Sequence, residues 1–312
     1  MKLSKVVTGT AVVALSALVL SACGSSSSSS KNSTSSKASS SKVVKKSSSQ
    51  KQVAGGALKD GTYKLDETGY DHGYKVQMAM TVKDGKITST KYDYVDKDGK
   101  SKTKDAAYEK AMKAKVKVGP KEYIPELNKS FQKNGTNVGA IDVISGATDS
   151  SMTFKNYAQQ LIQAAQAGDT KTIEVNNTGK MQDGTYTLEE KNYFNGYRVT
   201  FSITVKDGKI TESNYDNINK DGKSKTLDTK YEANMKKVNK VGPKEYIPEL
   251  NKSLVAKQSP AKVDVVSGAT HSSDTFILYA DQLVNAAQNG NTNKIDCLLY
   301  TSDAADEARS VD

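Results

Sequence analysis

Between residues 74 and 82 apolar and polar positions alternate, with Tyr74, Val76, Met78, Met80 and Val82 on one face. Tyr197, Val199, Phe201, Ile203 and Val205 repeat the pattern further along the chain. A period of two predicts half-buried strands, and the Asp-Gly that follows each predicts a tight hairpin. The returning strands are predicted over 86–95 and 209–218. Two helices are then predicted in each half, split by Gly119-Pro120 and Gly242-Pro243, where Pro suits a first helical turn. A short β-branched run, predicted as a strand, leads into a last helix. There Phe154, Tyr157, Ala158, Leu161, Ile162 and Ala165 recur at helical spacing, as do Phe276, Tyr279, Ala280, Leu283, Val284 and Ala287. Strands followed by segregated helices predict an α+β fold, with an antiparallel sheet in each half.

The two halves are a tandem repeat. Asp60-Gly-Thr-Tyr63 matches Asp183-Gly-Thr-Tyr186, and the stretch from Val118 to Ser130 is identical to that from Val241 to Ser253. Each copy, of about 110 residues, is long enough for its own core. The expected domains are residues 53–168 and 178–292.

One stretch carries candidate chemistry. Asp142-Val-Ile-Ser145-Gly146-Ala147-Thr148 returns as Asp264-Val-Val-Ser267-Gly268-Ala269-Thr270, and the copies continue to Ser150 and Ser272. Each closes the β-branched run and opens the last helix. Thr148 and Thr270 therefore fall at a helix start, where free N–H groups and the helix dipole favour a phosphate. A glycine turn before a Ser-rich helix start also ends a strand on structural grounds alone. At these residues the chain resembles the FMN-binding domain family, whose motif is Asp, two variable residues, Ser or Thr, Gly, Ala, Thr or Ser, one variable residue, then Ser or Thr. The resemblance implies covalent FMN on Thr148 and Thr270, two per chain. It implies that Asp142 and Asp264 serve the flavin transferase that attaches FMN, with Ser145, Gly146, Ala147, Ser150, Ser267, Gly268, Ala269 and Ser272 completing the sites.

The ends of the chain are of a different kind. Two lysines precede an apolar run, Val6 to Leu20, of signal-peptide length. Leu20-Ser-Ala-Cys23-Gly resembles a bacterial lipoprotein box, which implies a signal peptide over 1–22 and lipidation of Cys23. Residues 23–52 are mostly Ser and Lys and hold almost nothing to bury, so a disordered tether is expected. Residues 297–312 resemble a translated sequencing adapter and are expected to be non-native; a genuine acidic tail is the alternative.

Charge and cysteines narrow the function class. The net charge of +10 suits an exported protein near anionic lipid and wall polymers. No recognition motif accompanies it, so no nucleic-acid partner is expected. Cys23 and Cys297 are the only cysteines, and the two histidines, His72 and His271, occupy non-equivalent places. Disulfides, a repeated metal site and a shared nucleophile–His–acid set are therefore not expected. Residues 96–105 look superficially like a calcium loop. However, Tyr94 stands where a leading ligand belongs, and Lys97, Lys100, Lys102 and Lys104 would repel a cation, so a solvated hairpin tip is expected.

Together these features lead us to expect a lipid-anchored electron carrier on the extracellular face of a Gram-positive-type membrane, rather than an enzyme with its own substrate. The resemblance implies a membrane dehydrogenase or quinol as donor, and an external acceptor such as ferric iron or soluble flavin. The alternative is a non-catalytic surface lipoprotein that binds wall polymer or another protein, with empty flavin sites. Only His271 in place of Asp149 distinguishes the two phosphate environments, so two like carriers are expected to work independently.

Overall fold

The computed structural model describes residues 56–297. The expected signal peptide, Cys23 and the tether lie outside the described residues, as does the chain beyond Cys297.

Each half is built around a four-stranded sheet. In the first, β1 (Gly61–Glu67), β2 (Lys75–Lys83) and β3 (Lys86–Val95) form an antiparallel meander. Its hairpin turns at Asp84 and Gly85, with φ of 52° and 69°, the left-handed pair that matches strand twist. Asp60 carboxylate oxygens accept from the N–H groups of Asp84 and Gly85, both at 3.0 Å, which ties the repeated Asp-Gly-Thr-Tyr to this turn. Then come α1 (Ala106–Val116), α2 (Pro120–Asn134) and α3 (Thr148–Ala167). The helices cover one face of the sheet, where Phe154 packs edge-on against Tyr92 and Phe131. The second half repeats this with β5 (Gly184–Glu190), β6 (Tyr197–Lys206), β7 (Lys209–Asn219), α4 (Thr229–Asn239), α5 (Pro243–Lys257) and α6 (Thr270–Gln288).

Two elements differ from expectation. The β-branched runs before Thr148 and Thr270 are not strands: Ile141 and Val263 are anchored in the core, but the chain then turns rather than extends. The sheets also gain a fourth, parallel edge strand. Strand β4 (Ile173–Val175) joins β1, and β8 (Ile295–Cys297) joins β5. The second repeat therefore continues past 292 to β8, whose last residue, Cys297, is fully buried where Val175 stands in the first repeat. Three residues are too few to show a period, which hides both strands in the sequence.

The halves meet along α3 and α6, over a polar seam. Asn156 donates to Asp281 at 3.2 Å, Gln160 to Asn285 at 3.3 Å and Gln163 to Gln282 at 3.4 Å. Nearer the helix starts, the charge of Lys155 reaches Asp274. The start of α3 and the end of α6 also line one cavity.

Candidate functional site

The turn before each helix is set by glycine. Ala147 N–H donates to Ile144 C=O at 2.8 Å and Ala269 N–H to Val266 C=O at 2.9 Å, closing a four-residue turn. Gly146 and Gly268 sit in it with φ of 82° and 80°, values that a side chain strains to adopt. The turn also presses on the end of the preceding helix. A Cβ on Gly146 would lie 2.7 Å from Val116 C=O, and one on Gly268 2.3 Å from Asn239 C=O.

A buried hydroxyl locks the turn to the helix. Ser151 Oγ donates to Ala147 C=O at 2.8 Å and accepts from Ile144 N–H at 3.1 Å. Ser273 makes the same pair of bonds at 2.9 and 3.0 Å. Neither serine was singled out by the motif, although each directly follows its last position. Ala147 and Ala269 are the N-cap residues and supply no side-chain cap. The first N–H groups of α3 and α6 thus keep their donors directed past the helix end.

The motif residues divide by exposure. Thr148 and Thr270 are the first helical residues and are exposed, as are Asp142, Asp264, Ser145 and Ser267. Asp264 pairs with Lys257. Ala147 and Ala269 are buried and anchor the turn. Ser150 is half-buried: its Oγ accepts from Tyr94 Oη at 3.2 Å and its C=O from Tyr92 Oη at 3.3 Å. Tyr92, which core packing would explain by itself, therefore also steadies the motif. Ser272 is buried. Cys23, the expected lipidation site, lies outside the described residues.

Beside Ser150 a cavity of about 710 Å³ opens along the junction of the two halves. Asp149, Ser150 and Thr153 from α3 line it, with Tyr74, Tyr94, Tyr108 and Lys102, and α6 contributes Val284, Asn285 and Gln288. Its size is that of a small-molecule site. At the second motif the matching space is a narrow cleft of about 40 Å³, with Tyr197, Asn217, Lys225, His271, Ser272 and Thr275 around it. The likeness of the two motifs does not extend to their walls: Asn217 replaces Tyr94, His271 replaces Asp149, and only the first site borrows the other half. Beneath each site lies a buried acid. Glu67 Oε1 accepts from Tyr157 Oη at 2.6 Å and Oε2 from Val76 N–H at 2.7 Å. Glu190 is bonded in the same way by Tyr279 and Val199, at the same distances. Burial raises both carboxyls, Glu190 to about 7, against these stabilising bonds.

The tip of the β3 hairpin also departs from expectation. Residues 102–104 wind into a short 3-10 helix that buries Lys102, rather than holding it in solvent. Tyr74 donates to Asp105 Oδ2 at 2.7 Å, a bond that pushes its phenol up to about 12. Burial raises Tyr94 equally, so both stay protonated donors near neutral pH. Among the described residues no group of three His, Cys, Asp or Glu is placed to hold a metal.

Both halves of the chain are similar to a known family. A family model described as an FMN-binding domain matches the chain twice, over residues 71–163 and 195–285. The 15 kDa lipoprotein of Treponema pallidum (strain Nichols) is 33% identical over 118 residues, which is 38% of this chain and 83% of that protein. A crystal structure from Clostridium perfringens is 39% identical and covers 38% of this chain and 97% of its own, with a TM-score of 0.35. A solution structure from Clostridium thermocellum is 26% identical over 35% of this chain and 93% of its own, with a TM-score of 0.24.

Proposed function

This chain belongs to the FMN-binding domain family, in two tandem copies, and from that premise we propose that it is a membrane-anchored extracellular electron carrier with FMN joined by a phosphoester to Thr148 and Thr270. The observation that carries the reading is the exposed threonine hydroxyl at an uncapped helix start, made twice. A phosphate there meets free N–H donors and the positive end of the helix dipole. The residues present fit FMN: the hydroxyl is open to a modifying enzyme, and in the first half a cavity walled by tyrosines begins one turn further along α3. Asp142 and Asp264 remain at the surface, where a flavin transferase can use them.

Bound FMN supplies one- or two-electron transfer, and the protein supplies attachment, orientation and potential. The glycine turn and the buried Ser151 and Ser273 hold each attachment threonine in place. Electrons arrive from a membrane dehydrogenase or quinol and leave to an external acceptor such as ferric iron or soluble flavin. The relative named a 15 kDa lipoprotein and the sequence around Cys23 support a lipid anchor on the extracellular face. The test is ferric reduction by membranes from cells that also export the flavin transferase. Wild-type membranes should reduce the acceptor, and Thr148→Ala/Thr270→Ala membranes should not. Wild-type activity in the double variant would refute electron carriage and leave a binding lipoprotein.

A further inference from the structure

The fold buries a positive charge against the first site without closing an ion pair on it. Lys102 is only 7% exposed. Its ammonium lies 4.1 Å from the ring centroid of Tyr108, 4.6 Å from that of Tyr94 and 5.0 Å from that of Tyr74. Among the described residues no carboxylate lies within 4.0 Å of it. Asp105 is near enough for the two charges to interact, but its oxygens accept from Tyr108 N–H and Tyr74 Oη. A buried lysine is costly unless something compensates its charge, and three ring faces do so only in part. Its remaining side is the cavity, which it lines together with Asp149, Ser150 and Thr153. In the second half Lys225, 5% exposed, lies 3.9 Å from the Tyr231 centroid and 5.3 Å from that of Tyr197, beside Ser272 and Thr275, but the cleft of about 40 Å³ there is too small for a flavin ring.

We propose that Lys102 faces the isoalloxazine of the FMN carried on Thr148 and stabilises its reduced form. This rests on the flavin reading above. Thr148 is not part of the cavity wall, whereas the residues that follow it are. The phosphate therefore stays at the mouth and the flat ring passes inward, against tyrosine faces that suit it. Uptake of two electrons and one proton turns the neutral oxidised ring into a reduced ring with one negative charge. A cation held in a partly desolvated wall favours that state over the oxidised one. Lys102 is a positioning residue for charge, and its effect is read as a potential.

The test uses the full exported chain, flavinylated by a co-expressed transferase, in a Thr270→Ala background that leaves FMN on Thr148 alone. Dithionite titration against reference dyes gives the midpoint potential. Lys102→Met should lower it by at least a tenfold change in the reduction equilibrium, about 30 mV for a two-electron couple. Lys102→Arg should restore most of the loss. If Lys102→Met does not fold, Lys102→Gln in the same background takes its place with the same expectation. An unchanged potential in a folded, flavinylated variant without the lysine charge overturns the proposal. It does so equally if the phosphorus resonance of the linkage moves instead, which would put the lysine on the phosphate. A parent protein that carries no FMN removes the flavin reading and this proposal with it. Flavin present with an unmoved potential removes this proposal alone.

Discussion

Asn156 of α3 donates to Asp281 of α6 at 3.2 Å, and both residues lie at similar depth from the threonine that opens their helix. That bond, with Gln163 to Gln282, joins the two halves through a polar helix seam. The threonines that open these helices are chemically alike, but the walls beside them are not.

The wall difference predicts unequal potentials. Asp149 borders the first site and His271 the second. A nearby negative charge disfavours added electrons, so FMN on Thr270 should have the higher midpoint potential. Titration of Thr148→Ala and Thr270→Ala proteins measures each flavin alone. Asp149→His should raise the first potential towards the second; equal potentials in the parents would show that these side chains do not sense the ring.

The turn glycines should be sensitive for two separable reasons. Gly99→Ala meets only the backbone cost, since φ is 75° and nothing lies within 4 Å. Gly146→Ala adds a 2.7 Å approach to Val116 C=O. Urea unfolding should show roughly 1 kcal/mol lost in the first variant and 2–3 kcal/mol in the second. Flavinylation of Thr148 should fall only in the second. Equal losses would mean the turn is not pressed against α1.

Ser151→Ala removes a hydroxyl that both donates and accepts, leaving Ile144 N–H without its partner. The expected loss is about 1–3 kcal/mol by chemical denaturation. Ser151→Thr, which keeps the hydroxyl, should recover part of it if the extra methyl is accommodated. No loss in Ser151→Ala would contradict the lock between turn and helix.

The buried acids predict a pH dependence with a definite sign. Glu190 is held up to about 7 by burial, against a value of 4.5 in the open chain. The folded protein therefore holds a proton that the unfolded chain has released. Stability from this group is present at low pH and is lost as pH rises from about 4.5 through about 7. Glu190→Gln keeps an acceptor for Val199 N–H and cannot ionise. Relative to wild type it should gain stability between pH 5 and pH 8, by roughly 1–3 kcal/mol. A wild-type-to-variant difference that does not change with pH would count against a buried, proton-holding carboxyl.

Much of this architecture is written in short-range chemistry. Asp84-Gly85 supplies two left-handed residues and so a hairpin; Gly119-Pro120 starts a helix; Gly146 marks a turn that a side chain would obstruct. The rest depends on contacts that pattern alone does not disclose. Asn156, Gln163 and Gln282 read as a solvent face, yet are buried against each other, because hydrophobic periodicity cannot distinguish water from a polar partner. Lys102 reads as a loop charge until three tyrosines, distant or hidden in period, close around it. Ile141 is apolar because it anchors the approach to the turn, not because it lies in a strand. Cys297 belongs to a sheet edge too short to leave a period.

The central claim is that Thr148 and Thr270 each carry FMN through a covalent bond. Its most direct test is the intact mass of denatured protein, exported from cells that make a flavin transferase, followed by peptide mapping. The account predicts two FMN adducts, one on each threonine, and one fewer with each Thr→Ala substitution. Unmodified Thr148 and Thr270 peptides, in cells where a control flavoprotein is fully modified, would contradict it.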